Sequence, residues 1–252
     1  MIPIVEHRRP LALAAALCPI LILACGRVPG QFEILNNQVP ISSGGCTIPV
    51  SPTVYQGQGT LDASIVRDGL QTAYFVFPLI ENNLPGSTGG IDPNQIQLSG
   101  FTVDIGTIGN VPGAIDSELS TLKGSSLLHY QIPWSGGISS GGGQLSAIVS
   151  AFPVELALDL LQTGGLTREP SLTVNLTIQA LGTTNSGTAM KSDPFNYPVS
   201  VCDGCLVENL MVCPYSTTPA NPGNPCNPAQ DDPIDCCLDN GTLLCPPTVA
   251  GQ

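Results

Sequence analysis

The sequence predicts an all-β fold: an immunoglobulin-like two-sheet antiparallel sandwich with one short helix and a disulfide-stapled C-terminal extension. Three observations predict it. Ser171–Ala180 (SLTVNLTIQA) alternates strictly, with Leu172, Val174, Leu176, Ile178 and Ala180 on one face and Thr173, Asn175, Thr177 and Gln179 on the other. That period of two marks a strand buried on one side only, and Phe195, Tyr197, Val199 and Val201 repeat it. The chain is also rich in turn formers, with 28 Gly and 24 Pro against 10% charged residues, a mix that suits short strands and many turns rather than charge-rich disorder. Finally, about eight strand-like runs follow one another without a strand–helix–strand rhythm, which argues for a sandwich, with a closed barrel as the alternative.

The first elements concern export. Met1–Pro10 carries His7, Arg8 and Arg9, and an apolar run extends from Leu11 to Ala24. Fourteen residues reach about 21 Å as a helix, short of the roughly 30 Å hydrocarbon core, so residues 1–24 read as a cleaved signal rather than a span. The run closes on Leu21–Ile22–Leu23–Ala24–Cys25–Gly26. This string resembles the lipobox of bacterial lipoproteins, in which the cysteine is acylated and becomes the mature N-terminus. Cys18 fits the role less well, because Leu17 precedes it and only seven apolar residues lie upstream. The resemblance implies lipidation at Cys25, and Gly26 in place of an aspartate implies sorting to the outer membrane. An ordinary signal cut near Ala24, releasing a soluble protein, is the alternative.

Removing residues 1–24 leaves five basic residues (Arg27, Arg67, Lys123, Arg168, Lys191) against eighteen acidic ones, a net charge of −13. Nucleic-acid binding depends on neutralising phosphates with Lys and Arg, so that class is excluded.

Residues 25–45 read as lipid anchor and short tether, with an apolar cluster at Phe32–Leu35 that enters the first strand. The sandwich is expected over 46–201. Thr53–Gln56, Thr60–Arg67 and Ala73–Leu79 are strand candidates, and Pro78 puts the end of the last at an edge or terminus. In Asn94–Ile105, Ile96 and Leu98 share one parity while Phe101, Val103 and Ile105 share the other. A β-bulge at Ser99–Gly100 would return all five to one face. Leu127–Ile132 is a further strand and Gly136–Gly143 a flexible loop. Val154, Leu158 and Leu161 fall at helical spacing behind Pro153, with Glu155 in the first turn and Gly164–Gly165 as a stop.

Residues 202–252 hold seven cysteines and eight prolines, too little apolar material for an independent core, so cross-links are expected to replace burial. Eight cysteines remain after Cys18 and Cys25 are set aside: Cys46, Cys202, Cys205, Cys213, Cys226, Cys236, Cys237 and Cys245. An even set in an exported chain argues for four disulfides, although eight cysteines allow 105 pairings. Only Cys46 lies outside the C-terminal cluster, and Cys202, at the end of the last strand, is its preferred partner. Cys202–Asp203–Gly204–Cys205 reads as a structural disulfide ahead of a redox pair or a zinc site with Cys213, because Asp203 and Glu208 oppose a thiolate and an oxidising space favours bridges. Cys236 and Cys237 are expected to bridge to different partners.

Other constellations are weaker. Gly137–Ile138–Ser139–Ser140–Gly141 matches the G-x-S-x-G string of hydrolases, but three glycines, Gly141–Gly143, follow Ile138–Ser140 where a helix is required. The single mature histidine, His129, precedes the serine. Asp231, Asp232, Asp235 and Asp239 could ligate calcium on a loop, with a solvated acidic loop as the default reading. Asn175-x-Thr177 and Asn240-x-Thr242 are sequons. Trp134 is the residue to watch in any ligand cleft, or else a core side chain.

The lipobox, the sandwich and the tail CDGCLVENLMVC…NPCNPAQDDPIDCC together resemble uncharacterised lipoproteins of predatory or social δ-proteobacteria such as the myxobacteria. The resemblance carries no activity, catalytic residue or ligand. The sequence therefore points to a non-enzymatic outer-membrane lipoprotein, a structural, adhesive or complex-forming module without cofactor. It would attach to the membrane through lipid on Cys25 and offer a surface to an envelope protein partner. An envelope binding protein for a small molecule or glycan is the alternative, and a hydrolase using Ser139 stands behind both.

Overall fold

A computed structural model describes residues 30–41, 46–51, 53–67, 74–169, 172–215, 219 and 221–246. In chain order its elements are β1 (Phe32–Gln38), β2 (Tyr55–Gln56), β3 (Gly59–Asp62), α1 (Ala63–Arg67), β4 (Tyr74–Val76), β5 (Pro78–Asn82) and β6 (Ile96–Ile108). There follow α2 (Gly113–Leu122), β7 (His129–Ile138), β8 (Gly143–Ser146), β9 (Val149–Phe152), α3 (Val154–Gln162) and β10 (Leu172–Thr184). The last are β11 (Ala189–Lys191), β12 (Phe195–Cys202), β13 (Val207–Val212), β14 (Ile234–Asp239) and β15 (Thr242–Leu244). Among the described residues strand exceeds helix fourfold, 48% against 12%, so the fold is mostly β.

The strictly alternating segment becomes β10, the centre of the larger sheet, whose order is β3-β12-β10-β6-β7 with β11 paired to the end of β10. Leu172, Val174, Leu176, Ile178 and Ala180 are all buried while the intervening residues are half-exposed. A second sheet runs β2-β1-β5-β8. Beyond Phe77 and Ala147–Ile148 its β5–β8 pair continues as the antiparallel pair β4–β9. Both sheets feed one apolar cluster, with Phe32, Ile34 and Ile80 from one and Phe101, Val174 and Val199 from the other. Pairing is antiparallel except for β3–β12 and β13–β14, which are parallel.

The bulge lies where the change of parity puts it. The register of β6 shifts between Leu98 and Gly100 against β7, and Ile96, Leu98, Phe101 and Val103 are all buried on one side. Gly100 is required by close approach: a Cβ there would collide with the carbonyl of Ile132. α3 begins directly after Pro153 and is closed by Gly164 at φ 68°.

Several expectations need correction. Among the described residues there are three helices rather than one. α2 carries Ile115, Leu119 and Leu122 at helical spacing after Pro112, the same signal that marks α3. The strand expected over Thr60–Arg67 breaks after Asp62, whose carboxylate accepts the N–H of Ser64 at 3.1 Å and so caps α1. The loop expected over Gly136–Gly143 shrinks to Ser139–Gly142, since Gly136–Ile138 ends β7 and Gly143 opens β8. Phe32–Leu35 is no tether but part of β1, with Phe32 and Ile34 in the core.

The Cys-rich segment shares the main core: Ala229, Ile234 and Cys236 belong to the same apolar cluster as the sheets. It covers one end of the molecule, where Val201 of β12 pairs with Leu172 of β10. Gly30 lies at the other end, with its carbonyl accepting from Asn83, while Asn82 donates to the carbonyl of Ile138 and Ile96 pairs with both Ile138 and Thr184. The thirteen residues of β10 between these ends span about 40 Å at roughly 3.3 Å per residue.

Candidate functional site

The lipobox and Cys25 lie outside the described residues. No helix among the described residues is long and apolar enough to cross a membrane. The eight described cysteines, Asp62, Asp231 and Asp235 gather at the Cys-rich end.

Four disulfides join the eight cysteines. Cys46 pairs with Cys226, and not with Cys202 as expected. Cys202 is taken by Cys205, because the chain turns back at Gly204 (φ 84°) directly after β12. The carboxylate of Asp62 fixes that turn: Gly204 donates to it at 2.8 Å, Leu206 at 2.9 Å and the Ser64 hydroxyl at 2.6 Å. Successive residues of a strand face opposite sides, so Cys236 and Cys237 of β14 reach different partners, Cys245 and Cys213.

Asp62, Cys202 and Cys205 also form a group whose ligand atoms lie within 4.8 Å of one another. The residues do not fit a metal. A zinc site needs thiolates, whereas both sulfurs are joined to each other, Cys213 is joined to Cys237, and the oxygens of Asp62 accept four hydrogen bonds.

Asp231, Asp232, Asp235 and Asp239 do not converge on one centre. Asp235 is fully buried and accepts from the side chains of Asn209 (2.6 Å) and Asn221 (3.0 Å) and from the N–H of Asn221 (3.1 Å). Asp231, at φ 68°, accepts the N–H of Thr60 at 2.9 Å and the hydroxyl of Tyr74 at 2.9 Å, and Tyr74 lies 3.2 Å from the hydroxyl of Tyr197. Burial pushes the Asp231 carboxyl up to about 6 against the hydrogen bonds that favour its charge. Burial, with the Asp231 charge behind it, raises Tyr74 well above the ordinary phenol value. Asp232 and Asp239 stand at the surface.

The hydrolase constellation is not assembled. His129 opens β7 and Ser139 follows its last residue, so a ten-residue strand holds them about 30 Å apart. The His129 ring pairs instead with Asp104 on the neighbouring strand. The hydroxyl with a carboxylate partner is that of Ser140, which donates to Asp92 at 2.7 Å and holds that carboxyl below its usual range. Trp134 is half-buried, edge-on to Phe101 with ring centroids 6.2 Å apart, as a side chain packed against the core. The first sequon is a surface network in which Asn175 donates to Thr177 and to Asn196.

Two surface hollows among the described residues have apolar walls. One of about 320 Å³ lies between α2 and β6, lined by Ile105, Leu119, Lys123 and Leu128. The other, about 350 Å³, opens at the Cys-rich end between Arg168 and the small sheet β13-β14-β15, with Val207, Leu210, Leu238 and Leu243 as apolar walls and Asp203 and Glu208 at its rim. Arg168 donates from Nη2 to the carbonyl of Val207 at 3.0 Å. Sequence reasoning missed this hollow, whose walls come from separate elements, and the acceptor role of Asp62, whose donors at Gly204 and Leu206 lie 142 and 144 positions away. No protein-family profile, no curated protein and no solved structure matches the chain.

Proposed function

We propose that the protein is a non-enzymatic outer-membrane lipoprotein, held by lipid on Cys25, that serves as a structural or complex-forming module of the cell envelope. One observation carries the reading: a small residue followed by cysteine closes a fourteen-residue apolar run behind a basic leader. Several acyl chains, at about 0.8 kcal/mol per buried CH₂, would make such attachment practically permanent. The finer architecture is an immunoglobulin-like sandwich. Two features agree with the reading: eight described cysteines pair into four bridges, as an oxidising compartment favours, and Gly30, five residues after Cys25, lies at the opposite end from the Cys-rich cap. An anchored chain would hold that cap roughly 40 Å from its attachment, by the length of β10.

Metabolic palmitate labelling with and without globomycin tests the anchor. Label in the wild-type mature protein, lost in Cys25→Ala, is expected; an unlabelled mature protein rejects it. Affinity purification from solubilised outer membranes is expected to return a stoichiometric protein partner. A second reading, a binding protein for a small molecule or glycan, draws on the 350 Å³ hollow, within the size range of ligand sites.

A further inference from the structure

β13 is an edge strand. It pairs with β14 on one side and with no strand among the described residues on the other. The ladder decides which backbone groups face outward. Ile234 donates to the carbonyl of Leu206 and Cys213 donates to that of Leu238. Backbone groups alternate direction along a paired strand, and the register of β13 shifts between Val207 and Leu210, so those of Val207 before the shift and of Leu210 and Val212 after it turn away from β14. Arg168 occupies the outward carbonyl of Val207, which leaves the outward groups of Leu210 and Val212 as the open stretch.

Natural sheets protect such edges with Lys, Pro or a covering segment. Among the described residues none of these guards Leu210–Met211–Val212, and the three side chains are 53%, 49% and 80% exposed. Leu238 beside them is 37% exposed, and the 350 Å³ hollow adjoins Leu210. Single exposed apolar residues mean little, but a contiguous apolar run on an unpaired edge marks an interaction site.

The chemistry of the edge defines its occupant. A row of N–H and C=O groups is matched by an extended polypeptide, and pockets beside alternate positions accept its side chains. Asp203 and Glu208 border the hollow and Asp239 ends β14, against Arg168, the one cation among the described residues that line the hollow. A second copy would bring the same acids to the contact and, as a mature chain, a further net charge of −13, which opposes self-association. We propose that the outer edge of β13 takes up an extended segment of a different protein, one with alternating apolar and basic side chains, as an added strand. This rests on the complex-forming reading above and names the surface through which the complex forms.

The test is amide hydrogen exchange on the full-length protein in detergent micelles. The probe is an end-blocked peptide of alternating lysine and valine, with alternating glutamate and valine as control. Exchange at Leu210 and Val212 is expected to be fast in the free protein and about tenfold slower with the lysine peptide, and unchanged by the glutamate peptide. Val212→Pro, which removes an outward donor, should abolish the effect while the amides of β10 stay protected. Absent protection, equal protection by both peptides, or protection that grows with protein concentration alone overturns the proposal. If the peptide fails while affinity purification still returns a stoichiometric partner, the complex forms on another surface and only this inference falls.

Discussion

Asp62 and Gly204, separated by 142 positions, are joined by a 2.8 Å hydrogen bond from the glycine N–H to a carboxylate with no solvent exposure. The same carboxylate accepts from Leu206, from the Ser64 N–H and from the Ser64 hydroxyl. It thereby caps α1, ends β3 and fixes the turn that carries the Cys202–Cys205 bridge. Among the described residues no cation partners this buried acid, and burial of a carboxylate is tolerated only where donors replace its hydration; here four do so.

Asp62→Ala should therefore be among the most damaging single changes. It strands two backbone N–H groups, those of Gly204 and Leu206, in buried or half-buried positions, at about 1–3 kcal/mol each, so a loss of about 3 kcal/mol or more is expected. Thermal unfolding should show a drop in Tm of about 10 °C for a chain of this size. Thiol trapping under mild reductant should also show the Cys202–Cys205 bridge opening first, since its turn has lost the acceptor that orders it. A variant with wild-type Tm would show that the acceptor role is dispensable.

The Asp231 carboxyl predicts an acid-side gain in stability. Its value rises from an ordinary 3.8 to about 6 in the fold because burial disfavours the charge. A group whose folded value is raised binds its proton more tightly in the native state, so its contribution is complete below about pH 4 and is lost as pH rises through about 6. The loss amounts to at most about 3 kcal/mol across that window. Asp231→Asn keeps an acceptor for the Thr60 N–H and suits the positive φ at this position. It should flatten the stability profile between pH 4 and 7 and equal or exceed the wild type at pH 7. Denaturant melts across that range check this, and an unchanged slope would assign the pH dependence to other groups.

How much of this was legible in the sequence depended on how local the cause was. Alternation along Leu172–Ala180 is a property of neighbours, and it yielded the central strand. The parity change between Leu98 and Phe101 is equally local, and it placed the bulge whose glycine lies against the Ile132 carbonyl. The spacing of Ile115, Leu119 and Leu122 carried the same information for α2 and went unused. What was not legible was contact across the chain. Nothing near Cys46 distinguishes Cys226 from Cys202, and an aspartate at the end of a strand reads as a turn residue until its acceptors are matched with donors 140 residues away. The parallel pairing of β3 with β12 and of β13 with β14 was hidden for the same reason, since alternation gives a strand its faces but not its neighbour or direction.

The Cys46–Cys226 bridge ties the segment before β2 to the cap across 180 positions. In the chain-entropy description a closed loop of that length restricts the unfolded state by about 4–5 kcal/mol. The other three bridges close short loops, with separations of 3, 24 and 9, so each constrains the unfolded chain less. Removing the long bridge with Cys46→Ser and Cys226→Ser should therefore cost more than removing any other pair. The cap keeps its non-covalent hold through Asp231, which accepts from Thr60 and Tyr74, and through Gln230, which accepts the Phe75 N–H at 2.7 Å. The double variant should for that reason stay folded at 25 °C yet expose the residues around Asn227–Asp231 to faster amide exchange, while β10 and β12 exchange as before. Uniform loss of protection across both sheets would instead make the bridge a requirement of the whole fold.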